Sequence, residues 1–138
     1  MADPTQREID LEIRIRYSET DPMGFLHHSR YFVFFEMGRT ELFRAQGGNY
    51  REMEERGQYL VIAEVQCRYR VPARYDDVLR LNTKLTSLTL ARMEHEYKFY
   101  RGDTLLTTGK TVLACVDRDG RILKLSDVLD NYDLLVDQ

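Results

Sequence analysis

A chain of 138 residues with 43% hydrophobic and 31% charged side chains has the length and balance of one ordinary globular domain, able to bury a core without staples. A net charge of −3 and a pI near 5.6 argue against a nucleic-acid binder, which carries a basic excess. No run approaches the roughly 20 apolar residues of a membrane-spanning helix, and residues 1–10 lack the apolar stretch of a secretory signal.

Residues 9–17 alternate. Ile9, Leu11, Ile13, Ile15 and Tyr17 fall on one side, and Asp10, Glu12, Arg14 and Arg16 on the other, as in a strand with one buried face. Ser18-Glu19-Thr20-Asp21-Pro22-Met23-Gly24 is turn chemistry. From Ser29 the period lengthens, and Tyr31, Phe34, Phe35, Gly38, Leu42 and Ala45 share one helical stripe. Ser29 is the expected N-cap and Gly47-Gly48 the stop. Glycine inside a helix costs up to ~1 kcal/mol relative to alanine, so Gly38 is expected where the helix backbone comes close to a sheet.

Residues 50–57 read as a short helical or irregular piece, and four strands follow. The first places Val61, Ala63, Val65, Cys67 and Tyr69 on one face, until Val71-Pro72-Ala73-Arg74-Tyr75-Asp76-Asp77 breaks it. The second, about 78–90, turns Leu79, Leu81 and Leu85 inward. The third, about 92–100, aligns Met93, His95, Tyr97 and Phe99. After the Arg101-Gly102-Asp103-Thr104 turn, the fourth spans 105–116 and ends before Asp119-Gly120. Residues 126–135 are expected as a short final helix capped by Ser126. With no repeat or linker, the chain reads as a single domain over 1–138 with its core at about 9–123. Cys67 and Cys115 have no metal-ligand spacing and are expected as buried reduced thiols, which points to a cytoplasmic address.

A strand, a long helix and then four antiparallel strands make an α+β domain with the helix on one sheet face. A five-stranded antiparallel sheet wrapped around one long helix is the hot-dog arrangement. Its free face and open edges call for at least a second copy.

The segment Tyr17-Ser18-Glu19-Thr20-Asp21-Pro22-Met23-Gly24-Phe25-Leu26-His27-His28-Ser29-Arg30-Tyr31 resembles the signature of the 4-hydroxybenzoyl-CoA thioesterase family, in particular its acyl-CoA thioesterase branch from bacterial Tol-Pal gene clusters. That signature is a T-D-x-x-G loop running into a Y-H-x-x-Y-like helix start. Phe34-Phe35-Glu36-Met37-Gly38-Arg39-Thr40-Glu41 continues the match, and the stretch from Tyr69 to Asp77 resembles the family's strand-to-strand turn. The resemblance implies hydrolysis of an acyl-CoA to free acid and CoA, with no metal or redox cofactor, by a homodimer or homotetramer. It implies Asp21 as nucleophile or general base and an oxyanion-holding amide at His28, with Gly24, Phe25, Tyr31 and Arg74 at the substrate. The residue types suit these roles. The first amides of a helix lack intrahelical partners, so a loop carboxylate just before one stands beside donors for a developing oxyanion. Gly24 permits close backbone approach. Arginine's planar fork suits phosphate, and Arg74 leads a group that includes Arg30, Arg39, Arg68 and Arg70.

Each residue also has an ordinary reading. An Asp before a helix serves widely as a cap or turn residue. His28 reads equally as a side-chain contributor to the site, where the family branch also carries histidine, and as a polar first-turn residue. His27 reads as exposed loop where the family often has tyrosine, His95 as a core or interface residue, and Tyr31 and Phe35 as core. Glu64, Glu36 and Glu41 are rival carboxylates. Two other activities share the arrangement. An (R)-specific hydratase pairs Asp with a His five positions on, where this chain has Leu26; a non-catalytic acyl-CoA sensor would be expected to lack the loop carboxylate. The acyl group, and CoA against acyl carrier protein as its carrier, stay open at this point.

Overall fold

In the computed structural model, which describes residues 1–137, the first strand, β1 (Glu8–Arg14), ends three residues short of the alternation. Residues Tyr17–Glu19 coil into a single 3-10 turn, because the Glu19 carboxylate reaches back to accept the Arg16 N–H at 2.7 Å. Ile13 and Ile15 therefore stay buried, while Tyr17 turns out to solvent.

The long helix α1 (Arg30–Ala45) buries Tyr31, Phe34, Phe35, Gly38 and Leu42, the expected stripe except for Ala45, which at the helix end is half-buried. Its 16 residues span about 24 Å. The cap differs from expectation. Ser29 occupies the N-cap position with helical φ −69° and ψ −22° and makes no capping bond. His27 acts instead, its Nδ1 accepting the Ser29 N–H at 3.2 Å, which leaves the neutral ring's proton on Nε2. His27 is accordingly half-buried and not free loop.

After α2 (Tyr50–Glu55), capped by Asn49, come β2 (Tyr59–Tyr69), β3 (Val78–Leu88), β4 (Met93–Arg101), β5 (Thr104–Val116) and a short β6 (Ile122–Leu123). The strands are antiparallel in the order β1-β3-β4-β5-β2, with β6 paired to the end of β5. The hot-dog arrangement is thus present, with a sixth strand that the turn at Asp119-Gly120 launches. The single terminal helix is not. Leu129 is extended at φ −93°, ψ 118°, which splits it into α3 (Leu125–Val128) and α4 (Tyr132–Leu135), and Lys124, not Ser126, stands at the first cap. No helix among the described residues is long and apolar enough to cross a membrane.

Helix α1 lies over β1, β3 and β4. At Gly38 the approach is as close as expected: a Cβ built there overlaps the Thr83 hydroxyl. Gly109 of β5 serves the same end, since the Phe35 ring occupies the space of its missing Cβ and stacks on Tyr97 at 4.3 Å.

Strand β2 departs most from its sequence pattern. It is an edge strand that α1 meets at Tyr69, through Tyr31, while Val61, Ala63 and Val65 are exposed in the single chain. Its register shifts between Ile62 and Glu64, a bulge at Ala63 that reverses the alternation. Leu60 and Cys67, an odd seven residues apart, can therefore both pack toward the interior. Cys115 is buried and Cys67 only half-buried, both as free thiols.

His95 is a core residue. It is 4% exposed, its Nδ1 has no partner, and burial, aided by the Arg39 charge, pushes its pKa down to about 3. The folded value lies below the unfolded one of about 6.5, so the unfolded chain takes up the extra proton. The stability held by the neutral ring is complete above about pH 6.5 and is lost as pH falls toward 3, by up to ~1.4 kcal/mol per pH unit. Urea unfolding of wild type and His95→Leu at neutral pH and at about pH 5 checks this. The variant is expected to lose less stability on acidification; equal losses would exclude a neutral buried imidazole.

Candidate active site

The loop after the 3-10 turn closes on itself. The Asp21 N–H donates to the Phe25 carbonyl at 2.7 Å and the Gly24 N–H to the Asp21 carbonyl at 2.9 Å. Gly24 has φ +84°, a region that a side chain resists. Asp21 Oδ1 accepts the N–H groups of Met23 at 2.9 Å and Phe25 at 3.1 Å, an Asx turn. Asp21 Oδ2 accepts from nothing among the described residues.

The turn before β3 holds this loop in place. The Leu26 N–H donates to the Ala73 carbonyl at 2.8 Å, Phe25 bridges to Arg74, and the Arg74 guanidinium lies 4.6 Å over the Phe25 ring. The His27 N–H is taken by the Glu19 carbonyl at 2.9 Å and the Arg30 N–H by the His27 carbonyl at 2.9 Å. Across Met23 to Arg30, every amide thus donates within the protein except that of His28.

The carboxylate with a free oxygen and the residue with the free amide line one cleft of about 240 Å³, together with Phe25, Leu26, Tyr31, Tyr69, Arg70, Val71 and Pro72. Asp21 is half-buried and His28 exposed, its imidazole stacked on His27 at 4.3 Å. Tyr31 is 2% exposed, and its ring meets Tyr69 edge-on at 5.1 Å. Burial raises the pKa of both phenols, so both remain hydrogen-bond donors at neutral pH.

The structure thus brings Asp21, Phe25, His28 and Tyr31 together. Gly24 and Arg74 stand just outside, Gly24 shaping the loop and Arg74 backing Phe25. The rival carboxylates lie elsewhere. Glu64 accepts from Gln66 and lies 3.9 Å from Arg92, Glu41 pairs with Arg44, and Glu36 lines a separate depression of about 390 Å³ with Arg39 and Tyr50. Tyr69 and Arg70 enter the cleft from the far end of β2. In the sequence Tyr69 was marked only by its place at the head of the second matching segment, and Arg70 also by its place in the arginine group. No cluster of three or more His, Cys, Asp or Glu able to hold a metal occurs among the described residues.

Residues 15–131 match the thioesterase-like superfamily. The chain is 31% identical over 106 residues to the acyl-CoA thioesterase YbgC of Haemophilus influenzae, covering 76% of this chain and 78% of that one. It is 28% identical, over 76% of this chain and 79% of the other, to the acyl-CoA thioester hydrolase YbgC of Escherichia coli O6:H1. Among solved structures, the DHNA-CoA thioesterase of Staphylococcus aureus superposes with a TM-score of 0.87 at 26% identity, covering 91% of this chain and 86% of the other. Protein TT1821 of Thermus thermophilus gives 0.86 at 30% identity over 95% and 99%. The Asp21 loop, the helix it leads into and strands β2 to β6 all lie within the matched span, and the chain belongs to the thioesterase-like superfamily.

Proposed function

We propose that this protein hydrolyses acyl-CoA thioesters at the Asp21 cleft. The observation that carries the reading is that one cleft is lined by a residue with a carboxylate oxygen and a residue with a backbone N–H that have no partners among the described residues. The relatives' names supply the substrate class. In the reaction, the thioester carbonyl oxygen accepts from the His28 N–H, which strengthens its hold as negative charge develops. Asp21 Oδ2 either attacks the carbonyl carbon or takes a proton from an attacking water. In the first route the C–S bond breaks to leave an acyl–Asp21 anhydride that water then hydrolyses. In the second, water adds directly and the C–S bond breaks. In both, the departing thiolate takes a proton to leave as CoA thiol, and the free acid remains. His28 acts through its backbone, its imidazole lying to the side on His27. Phe25 and Tyr31 form the apolar wall for the acyl group. Arg70, which lines the cleft, and Arg74, stacked on Phe25, are the cations offered to the phosphates of CoA.

A second copy completes the molecule in this reading, as a homodimer or homotetramer. Edge strand β2 offers unpaired backbone groups and exposed Val61, Ile62, Val65 and Tyr69, and the outer side of α1 exposes Phe32, Val33 and Met37. A long apolar edge left bare invites pairing with another chain.

The test is release of free thiol from a panel of short, long and aromatic acyl-CoAs and from an acyl carrier protein ester, with the mass of the same preparation read by sedimentation. Turnover of at least one CoA ester is expected. Tight binding of acyl-CoA with no thiol released would instead make the protein a sensor and sink the hydrolase reading.

A further inference from the structure

Tyr69 ends β2, and its hydroxyl donates to the His28 carbonyl at 3.0 Å. The two residues are 41 positions apart in the chain, so this bond joins the edge strand to the start of α1. The tyrosine is itself held firmly. Its ring meets Tyr31 edge-on at 5.1 Å, and Tyr31 meets the fully buried Phe99 edge-on at 5.3 Å. The phenol thus stands at the end of an aromatic row rooted in the core.

We propose that Tyr69 is a positioning residue: by holding the His28 carbonyl, it anchors His28 at the cleft and so fixes where its N–H meets the oxyanion. The inference rests on the reading of the Asp21 cleft as the thioester site. Its physical basis is the accounting of amides around His28. The His28 N–H shares its peptide plane with the His27 carbonyl, which accepts the Arg30 N–H at 2.9 Å. The next plane joins the His28 carbonyl to the Ser29 N–H, held by His27 Nδ1 at 3.2 Å. These two bonds form within residues 27–30 and shape the helix start without tying it to β2, while the His28 N–H itself must stay unbound to serve a substrate. The Tyr69 bond to the His28 carbonyl supplies that tie, holding the plane on the other side of the His28 Cα from a distant strand. A donor in an oxyanion hole works because it is already aimed when charge develops. Small misplacements of a reacting group cost up to 10²-fold in rate.

The experiment is Tyr69→Phe, which keeps the ring, its edge-on contact with Tyr31 and the apolar wall, and removes only the hydroxyl. With a good acyl-CoA, kcat is expected to fall about 10-fold while KM stays within about twofold, the pattern of an interaction realised in the transition state. Two unreactive CoA analogues separate positioning from packing. A trifluoromethyl ketone, whose carbonyl adds the Asp21 carboxylate, or water with its proton passing to Asp21, to form a tetrahedral oxyanion, is expected to bind more weakly by the same factor as kcat falls. A plain thioether with no carbonyl is expected to bind as well as it does to wild type. Wild-type kcat in Tyr69→Phe, or equal weakening of both analogues, would overturn the positioning role while leaving the thioesterase reading intact. Wild-type protein that releases no thiol from any CoA ester would overturn both together.

Discussion

Asp21→Asn is expected to lower kcat by about 10²–10⁴-fold, the range for loss of a positioned acid–base group, while the fold and the oligomer persist. The reason is that the two carboxylate oxygens have different duties. Oδ1 accepts the Met23 and Phe25 amides and builds the loop; an asparagine carbonyl accepts both in the same way. Oδ2 has no internal duty, and there Asn presents an NH₂ that neither attacks nor takes a proton. Asp21→Ala removes both functions, so it is expected to match Asn in activity but also to lower thermal stability, the signature of a loosened loop. Glu64→Gln, far from the cleft beside Gln66 and Arg92, is expected to retain near-normal turnover. Near-normal turnover in Asp21→Asn together with inactivity in Glu64→Gln would move the chemistry to the edge strand.

The second large effect is on folding, and its sign distinguishes local from tertiary control. On helix propensity alone, Gly38→Ala should stabilise α1 by about 1 kcal/mol. It is expected instead to destabilise the protein by about 1–3 kcal/mol, the usual cost of overpacking, because the new methyl overlaps the Thr83 hydroxyl. That hydroxyl is buried without a partner, so Thr83→Ala alone should cost little. In the Thr83→Ala background the remaining neighbours of the new methyl, Leu81 Cδ2 at 3.2 Å and the Thr83 Cβ at 3.3 Å, need give only slightly. Gly38→Ala should then become neutral or stabilising, a coupling of about 2 kcal/mol in a double-mutant cycle. Urea unfolding of the four proteins measures it. An equal cost of Gly38→Ala in both backgrounds would assign the effect to something other than this contact.

Much of the site was legible because its pieces are close together in the chain. The loop from Ser18 to Gly24, the glycine that its tight turn requires and the start of α1 all lie within one short segment. Asp21, Phe25, His28 and Tyr31 therefore share a cleft almost as a consequence of local geometry. Tyr69 and Arg70 were hidden in that sense, since nothing near them in sequence announces a cleft. They reach it only because β2 lies beside β5 and ends opposite the loop. The cap shows the same limit. Ser29 has the right chemistry for an N-cap, yet the backbone folds so that His27 reaches the amide first.

Asp21 as the candidate carboxylate, the strand–helix–strand order, the inward faces of β3 and β4 and the buried stripe of α1 were all determined by the sequence itself. Periodicity of two or 3.6 residues reports directly which side of an element meets the core. The tertiary structure alone decided that β2 is an exposed edge with a bulge at Ala63, that Phe35 needs the missing side chain of Gly109, and that His28 keeps the one free amide of its stretch. Each of these depends on what another part of the chain places alongside. An amide is free only when every acceptor around it has been spent or turned away, and that is settled by packing between distant segments, which no local pattern records.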